Sequence, residues 1–244
     1  MNLKIIKTHI LFAIVIILTI IFIVSQIMEY EGLSNYTRSL VIPLATVFYM
    51  VRIKDRNFYF SAFLWTFSLS ELMGLWVETL PLDLTYYLGN SLYILAYIFL
   101  VLEVLASIKR SPDYKGFFTK YALHMAVLAM FAIYLVKVLA DIQGPIMNRI
   151  EYAMEMAYNS IIMFLLTVSL LNFICNDTKK SLIMFLGSIC IVFSEIVQVA
   201  YFYLANTYVL GIVYSFLLIL AFYFFYRHGF LKKESNKNLN LFKP

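Results

Sequence analysis

The stretch SLIMFLGSICIVFSEIVQVAYFYL, residues 181–204, carries a single charge, Glu195, in twenty-four positions. A helix needs about 20 predominantly apolar residues to cross about 30 Å of hydrocarbon, so this run has the length of a membrane span. Comparable runs recur along the chain. Of its 244 residues, 63% are hydrophobic and 14% charged, where a soluble domain has about half and about a quarter. That balance leaves too little polar surface to coat a globule in water and excludes a cytosolic enzyme. The sequence predicts an all-α fold, a polytopic membrane helix bundle.

Eight transmembrane helices are expected, at residues 8–27, 38–53, 57–79, 86–108, 117–140, 150–173, 181–204 and 207–228. The second is the shortest and contains Pro43. Short connections make consecutive helices antiparallel neighbours, so residues 1–230 should form one transmembrane bundle. Residues 231–244, with Lys232, Lys233 and Lys237, read as a basic cytoplasmic tail. Lys4 and Lys7 precede the apolar run Ile10–Val24 and no small-residue cleavage pattern follows, which reads as an uncleaved first span.

This arrangement puts sixteen of the nineteen basic residues on one side and leaves Arg38, Lys137 and Arg149 on the other. The positive-inside rule then makes both termini cytoplasmic, in the plasma or inner membrane if the host is bacterial. The net charge of +5 is therefore a topology signal: its partners are the bilayer's anionic headgroups, and no nucleic acid is implied. Cys175 and Cys190 stand apart. No His/Cys cluster has metal spacing, and neither a phosphate-cradling glycine loop nor a Ser/His/Asp arrangement occurs, so no metal or cofactor is expected. The 22 Phe and 19 Tyr exceed what interfacial belts need, so many should line the interior.

The informative residues are the polar ones inside the membrane. A carboxylate near the bilayer centre costs at least about 2.5 kcal/mol and marks a proton, ion or substrate site by default. Glu71 lies fourteen residues after Asn57, and Glu195 fourteen after Ser181. Each carboxyl is then about 21 Å from its cytoplasmic helix end, which puts both in one layer. Each follows a serine, Ser70 or Ser194, and each is followed by a Leu-Gly opening the next span, Leu88-Gly89 or Leu210-Gly211. The correspondence suggests a parallel four-plus-four internal repeat. Asn90, Tyr93 and Tyr97 on the fourth span, Glu155 and Asn159 on the sixth and Gln198 on the seventh add groups in the outer half. Glu155 and Asn159 share a helix face, as do Glu195 and Gln198. A polar pocket open to the non-cytoplasmic side explains them together. His124 reads as a packing histidine, and Glu103, near Lys109 and Arg110, as structural.

The segment Phe67-Ser68-Leu69-Ser70-Glu71 resembles the Phe-Ser-Leu-Leu-Gly-Asp motif of the YhhN family, the eight-span lysoplasmalogenases. Gly89 to Tyr97 resembles that family's next motif, and Ile191-Val192-Phe193-Ser194-Glu195 its later Phe-Val-Ile-Ser-Asp stretch. Glutamates stand where the family has aspartates, Tyr97 where it has a histidine and Ile42 where it has a lysine. The resemblance implies a lipid substrate and a hydrolase of lipid metabolism that cleaves the vinyl ether of a lysoplasmalogen. Two carboxyls suit that reaction. One protonates the outer alkene carbon, the other activates water, and a single proton shared between them would poise an acid beside a base. Glu71 and Glu195 are the expected catalytic pair. Ser70, Asn90, Tyr93, Tyr97, Glu155, Asn159, Ser194 and Gln198 are the expected substrate-binding residues. Two other readings stand beside this one: a terpene-cyclase-like acid catalyst acting on an isoprenoid, and a proton-coupled transporter or sensory module. In the plainest reading the glutamates only tie helices together.

Overall fold

The computed structural model describes residues 3–53, 56–76, 79–111, 122–143, 147–205 and 207–231, with side chains from Ala13 onward except at positions 31, 82, 123, 124 and 143. The basic tail after Leu231 and the His124 side chain lie outside the described residues. The described residues are helical apart from short links, without a strand. The helices are α1 (Leu3–Ile27), α2 (Glu31–Arg52), α3 (Phe58–Met73), α4 (Leu82–Lys109), α5 (Ala122–Gln143), α6 (Arg149–Asn176), α7 (Lys179–Val199) and α8 (Tyr208–Phe230). Among the described residues five segments are long and apolar enough to cross a membrane: Asp83–Lys109, Met125–Ile142, Arg149–Asn176, Lys179–Leu204 and Tyr208–Phe230. A shorter apolar stretch, Ala13–Ile27, lies in α1. The chain is thus a multi-pass, all-helical protein suited to a bilayer.

Local chemistry sets several of the ends. Asn148 caps α6 by accepting from the Ile150 and Glu151 amides, while Glu151 accepts from the Asn148 amide in return. Asp177 closes the same helix in the left-handed region, at φ 42°. Thr178 and Ser181 form the matching reciprocal cap on α7. Two ends depart from the hydropathy reading. Helix α2 begins at Glu31 and not near residue 38, because its polar first turns are satisfied as they stand: Ser34 donates to Gln26 on α1, and Thr37 to the Leu33 carbonyl. Helix α3 stops at Met73, a tighter turn over Gly74–Trp76 follows, and the helix does not reach residue 79.

Consecutive helices pair as expected except α4 and α5: α4 packs on α6 instead, and α1 closes against α8. Seven helices therefore form a ring, α1-α2-α3-α4-α6-α7-α8, and α5 lies outside it against α6 and α7. The middle of the ring is aromatic. Phe67 meets Phe222 with ring centroids 4.8 Å apart, Phe63 meets Phe225 at 5.3 Å, and Phe67 meets Tyr93 at 4.9 Å. Such pairs add about 0.5–1.5 kcal/mol each beyond area burial. At the basic end of the bundle Glu103 is buried, accepts from Asn57 and lies 3.6 Å from Arg110, consistent with a structural role. Cys190 is buried and Cys175 half-buried, both as free thiols.

Candidate functional site

Above the aromatic layer a cavity of about 280 Å³ opens at the end of the bundle where α3 and α7 finish. The sequence places its carboxyls by a simple device. Ser70 donates to the Gly89 carbonyl (2.8 Å), fastening α3 to α4, and Ser194 donates to the Tyr214 carbonyl (2.7 Å), fastening α7 to α8. In a helix each residue is turned about 100° from the one before it. With the serines held in the seams, the next residues, Glu71 and Glu195, both reach the cavity.

The two carboxyls are held differently. Glu71, whose side chain is 2% exposed, accepts from the Tyr93 hydroxyl (2.7 Å) and from Arg38 Nε (3.4 Å). Arg38 also directs Nη1 at the Tyr214 hydroxyl (3.4 Å), with its guanidinium 5.7 Å from the centre of that ring. Glu195 accepts from the Tyr97 hydroxyl at 2.6 Å, and Tyr158 approaches the same carboxyl. A guanidinium compensates one acid, whereas phenols hold the other. Among the described residues no hydrogen bond joins Glu71 to Glu195. The two carboxyls are thus held separately, with Arg38 as the counter-charge beside Glu71 and phenol donors at Glu195.

Asn90, Tyr93, Glu155 and Gln198 also line the cavity, and Glu155 accepts from Tyr86 at 2.8 Å. Tyr97 is fully buried one layer below, reaching the site through its hydroxyl. Asn159 is buried in the helix interface and does not line the cavity. Neither do Ser70 and Ser194, whose hydroxyls are committed to the helix seams.

Sequence reasoning missed Arg38, Tyr86, Tyr158, Phe202 and Tyr203, all of which line the cavity. For Arg38 a signal was present. Ser34, Arg38 and Thr46 are spaced by multiples of four, interrupted by Ile42, and polar residues on one face of an apolar helix face inward. Phe202 and Tyr203 come from a widened turn over Ala200–Leu204, closed by the Ala205 amide donating to the Ala200 carbonyl at 3.0 Å. Such turns are rare and frequent at functional sites, and hydropathy does not register them. Among the described residues no group of three or more His, Cys, Asp or Glu side chains could hold a metal ion. Comparison with protein-family models, with curated proteins and with solved structures finds no match.

Proposed function

We propose that this chain is an integral-membrane acid/base catalyst of lysoplasmalogenase type, which hydrolyses the vinyl ether of a lysolipid. The observation that carries the reading is the unequal pair on one cavity: Glu71 beside Arg38, Glu195 beside neutral phenols. In this reading Glu195 holds the proton and Glu71 is the carboxylate. Glu195 gives its proton to the outer alkene carbon, and the electrons of the double bond form the new C–H bond. The resulting oxocarbenium ion is stabilised by the nearby negative charge. Water adds to the carbon bonded to the ether oxygen and loses a proton to Glu71, giving a hemiacetal. Glu195 then takes the hemiacetal hydroxyl proton while Glu71 returns its proton to the ether oxygen. The C–O bond breaks, a fatty aldehyde and a glycerophospho-alcohol leave, and both carboxyls regain their starting states.

The resemblance to the YhhN family supplies the reaction class. The cation missing at Ile42 enters from Arg38, one turn earlier on the same helix face. An eight-span arrangement with both termini cytoplasmic accompanies this reading and puts the cavity on the outer side. The two serine seams, Ser70 to Gly89 and Ser194 to Tyr214, are the part of the fold that resembles a four-plus-four repeat, while α5, outside the ring that holds α1, departs from it. Purified protein in detergent, incubated with lysoplasmalogens, should release aldehyde, and Glu71→Gln and Glu195→Gln should each abolish it. Release that survives both substitutions removes the carboxyl mechanism.

The aromatic wall favours a second reading. Phe67, Tyr93 and Tyr158 line the cavity beside the two acids, a setting for cation-guiding chemistry on an isoprenoid. Cyclised product from a polyprenyl substrate, with no aldehyde from lysoplasmalogens, would select it.

A further inference from the structure

Tyr214 links the supports of both acids. It lies on α8, buried and off the cavity wall. Its backbone carbonyl accepts from Ser194, the residue before Glu195. Its hydroxyl accepts from Arg38 Nη1 at 3.4 Å, while Arg38 Nε donates to Glu71 at 3.4 Å. The Tyr214 ring is itself held by Tyr201 of the widened turn, with centroids 5.6 Å apart.

A guanidinium is a planar fork, so two anchors fix its orientation where one leaves it free to turn. That orientation matters because Arg38 lies within electrostatic reach of Glu195 as well as Glu71. A cation shared evenly between the carboxyls would erase the difference between them. The other groups facing the pair do not choose. Tyr93 donates to Glu71 and Tyr97 to Glu195, Tyr158 approaches Glu195, and Glu155 lines the same cavity.

We infer that Tyr214 is a positioning residue that keeps the Arg38 guanidinium on Glu71, and so decides which of the two carboxyls is the base. The inference rests on the acid and base roles assigned above, though not on the identity of the substrate.

Tyr214→Phe removes the acceptor but keeps the ring and the carbonyl that Ser194 needs, so the fold should survive. Infrared spectra of the full chain in detergent at neutral pH report the proton on each acid as the carboxyl C=O intensity lost on Glu→Gln substitution. In the wild type Glu195→Gln should remove such intensity and Glu71→Gln should not. In the Tyr214→Phe background each substitution should remove about half of it, because the two acids then titrate as a coupled pair. Arg38→Lys keeps the charge but cannot span both anchors, so it should give the same division, and adding Tyr214→Phe to it should change nothing further. In Tyr214→Phe the kcat for aldehyde release should fall by about tenfold with KM unchanged, since Tyr214 does not line the cavity.

Intensity that stays wholly with Glu195 in Tyr214→Phe overturns the inference and leaves the hydrolase standing, and a raised KM with kcat intact also overturns it. Wild-type intensity that follows Glu71 overturns the inference together with the acid and base roles. The expected division without any aldehyde from lysoplasmalogens sinks the hydrolase alone.

Discussion

Arg38 and Glu71, thirty-three residues apart in the chain, meet at 3.4 Å between α2 and α3, and the carboxylate end of that pair is sealed from solvent. Removing one partner of a buried ion pair leaves an uncompensated charge at a cost of about 3–5 kcal/mol, whereas replacing both with apolar groups is often neutral. Arg38→Met should therefore destabilise the protein in detergent by about 3 kcal/mol, and Arg38→Met with Glu71→Leu should recover at least about 1 kcal/mol of that. Chemical unfolding of the four members of the cycle reads the coupling. A double variant no more stable than Arg38→Met would show that the two groups do not depend on each other.

The tyrosines should separate in effect. Tyr97 is fully buried, so Tyr97→Phe strips Glu195 of a donor that water cannot replace, at about 1–3 kcal/mol of stability. Tyr93 lines the cavity, where water can take the place of its hydroxyl, so Tyr93→Phe should cost less than about 1 kcal/mol. Thermal unfolding of both variants side by side decides the ranking.

Two glycines give a contrast within the same bundle. A Cβ at Gly187 would lie 2.6 Å from the Phe225 ring, which is packed among Phe63 and Phe222, so Gly187→Ala should cost about 1–3 kcal/mol. At Gly89 the added carbon would meet only Ser70 Oγ at 3.8 Å, ordinary contact, and alanine favours a helix interior by about 0.5–1 kcal/mol. Gly89→Ala should leave the melting temperature unchanged or raise it. A fall at position 89 equal to that at 187 would contradict this packing.

The cap on α6 bears on the cavity from outside it. Asn148→Ala removes two hydrogen bonds to the first turn and should cost about 1 kcal/mol. Hydrogen exchange should speed up at the Ile150 and Glu151 amides and not at Ile162, deep in the same helix. Uniform acceleration along α6 would place the loss elsewhere.

Glu71 and Glu195 were legible because a carboxylate in an apolar run stands out against its neighbours, and the serines before them marked the seams. The seams also explain why Ser70 and Ser194 proved to be fasteners and not cavity residues: adjacency in sequence means a quarter-turn in space. Arg38 is harder to place because charge at the edge of a hydrophobic run reports orientation first, and the helix that carries it extends seven residues further than hydropathy indicates. Tyr86, Phe202 and Tyr203 lie near helix ends, where aromatics are expected to face headgroups. The closed ring, and the exclusion of α5 from it, depends on pairings between distant helices that no local pattern encodes.

The brevity of α3 bears on the surrounding lipid. Its sixteen residues rise about 24 Å, the tighter turn over Gly74–Trp76 adds about 6 Å, the whole is still shorter than α4 beside it, and Glu71 sits two residues from the α-helical end. In an eight-span arrangement the leaflet beside this helix must pinch inward, or its longer neighbours must lean. Under that arrangement acyl-chain length in the host bilayer acts on the depth of Glu71, so vesicles of graded chain length would tune this protein without any change to its sequence.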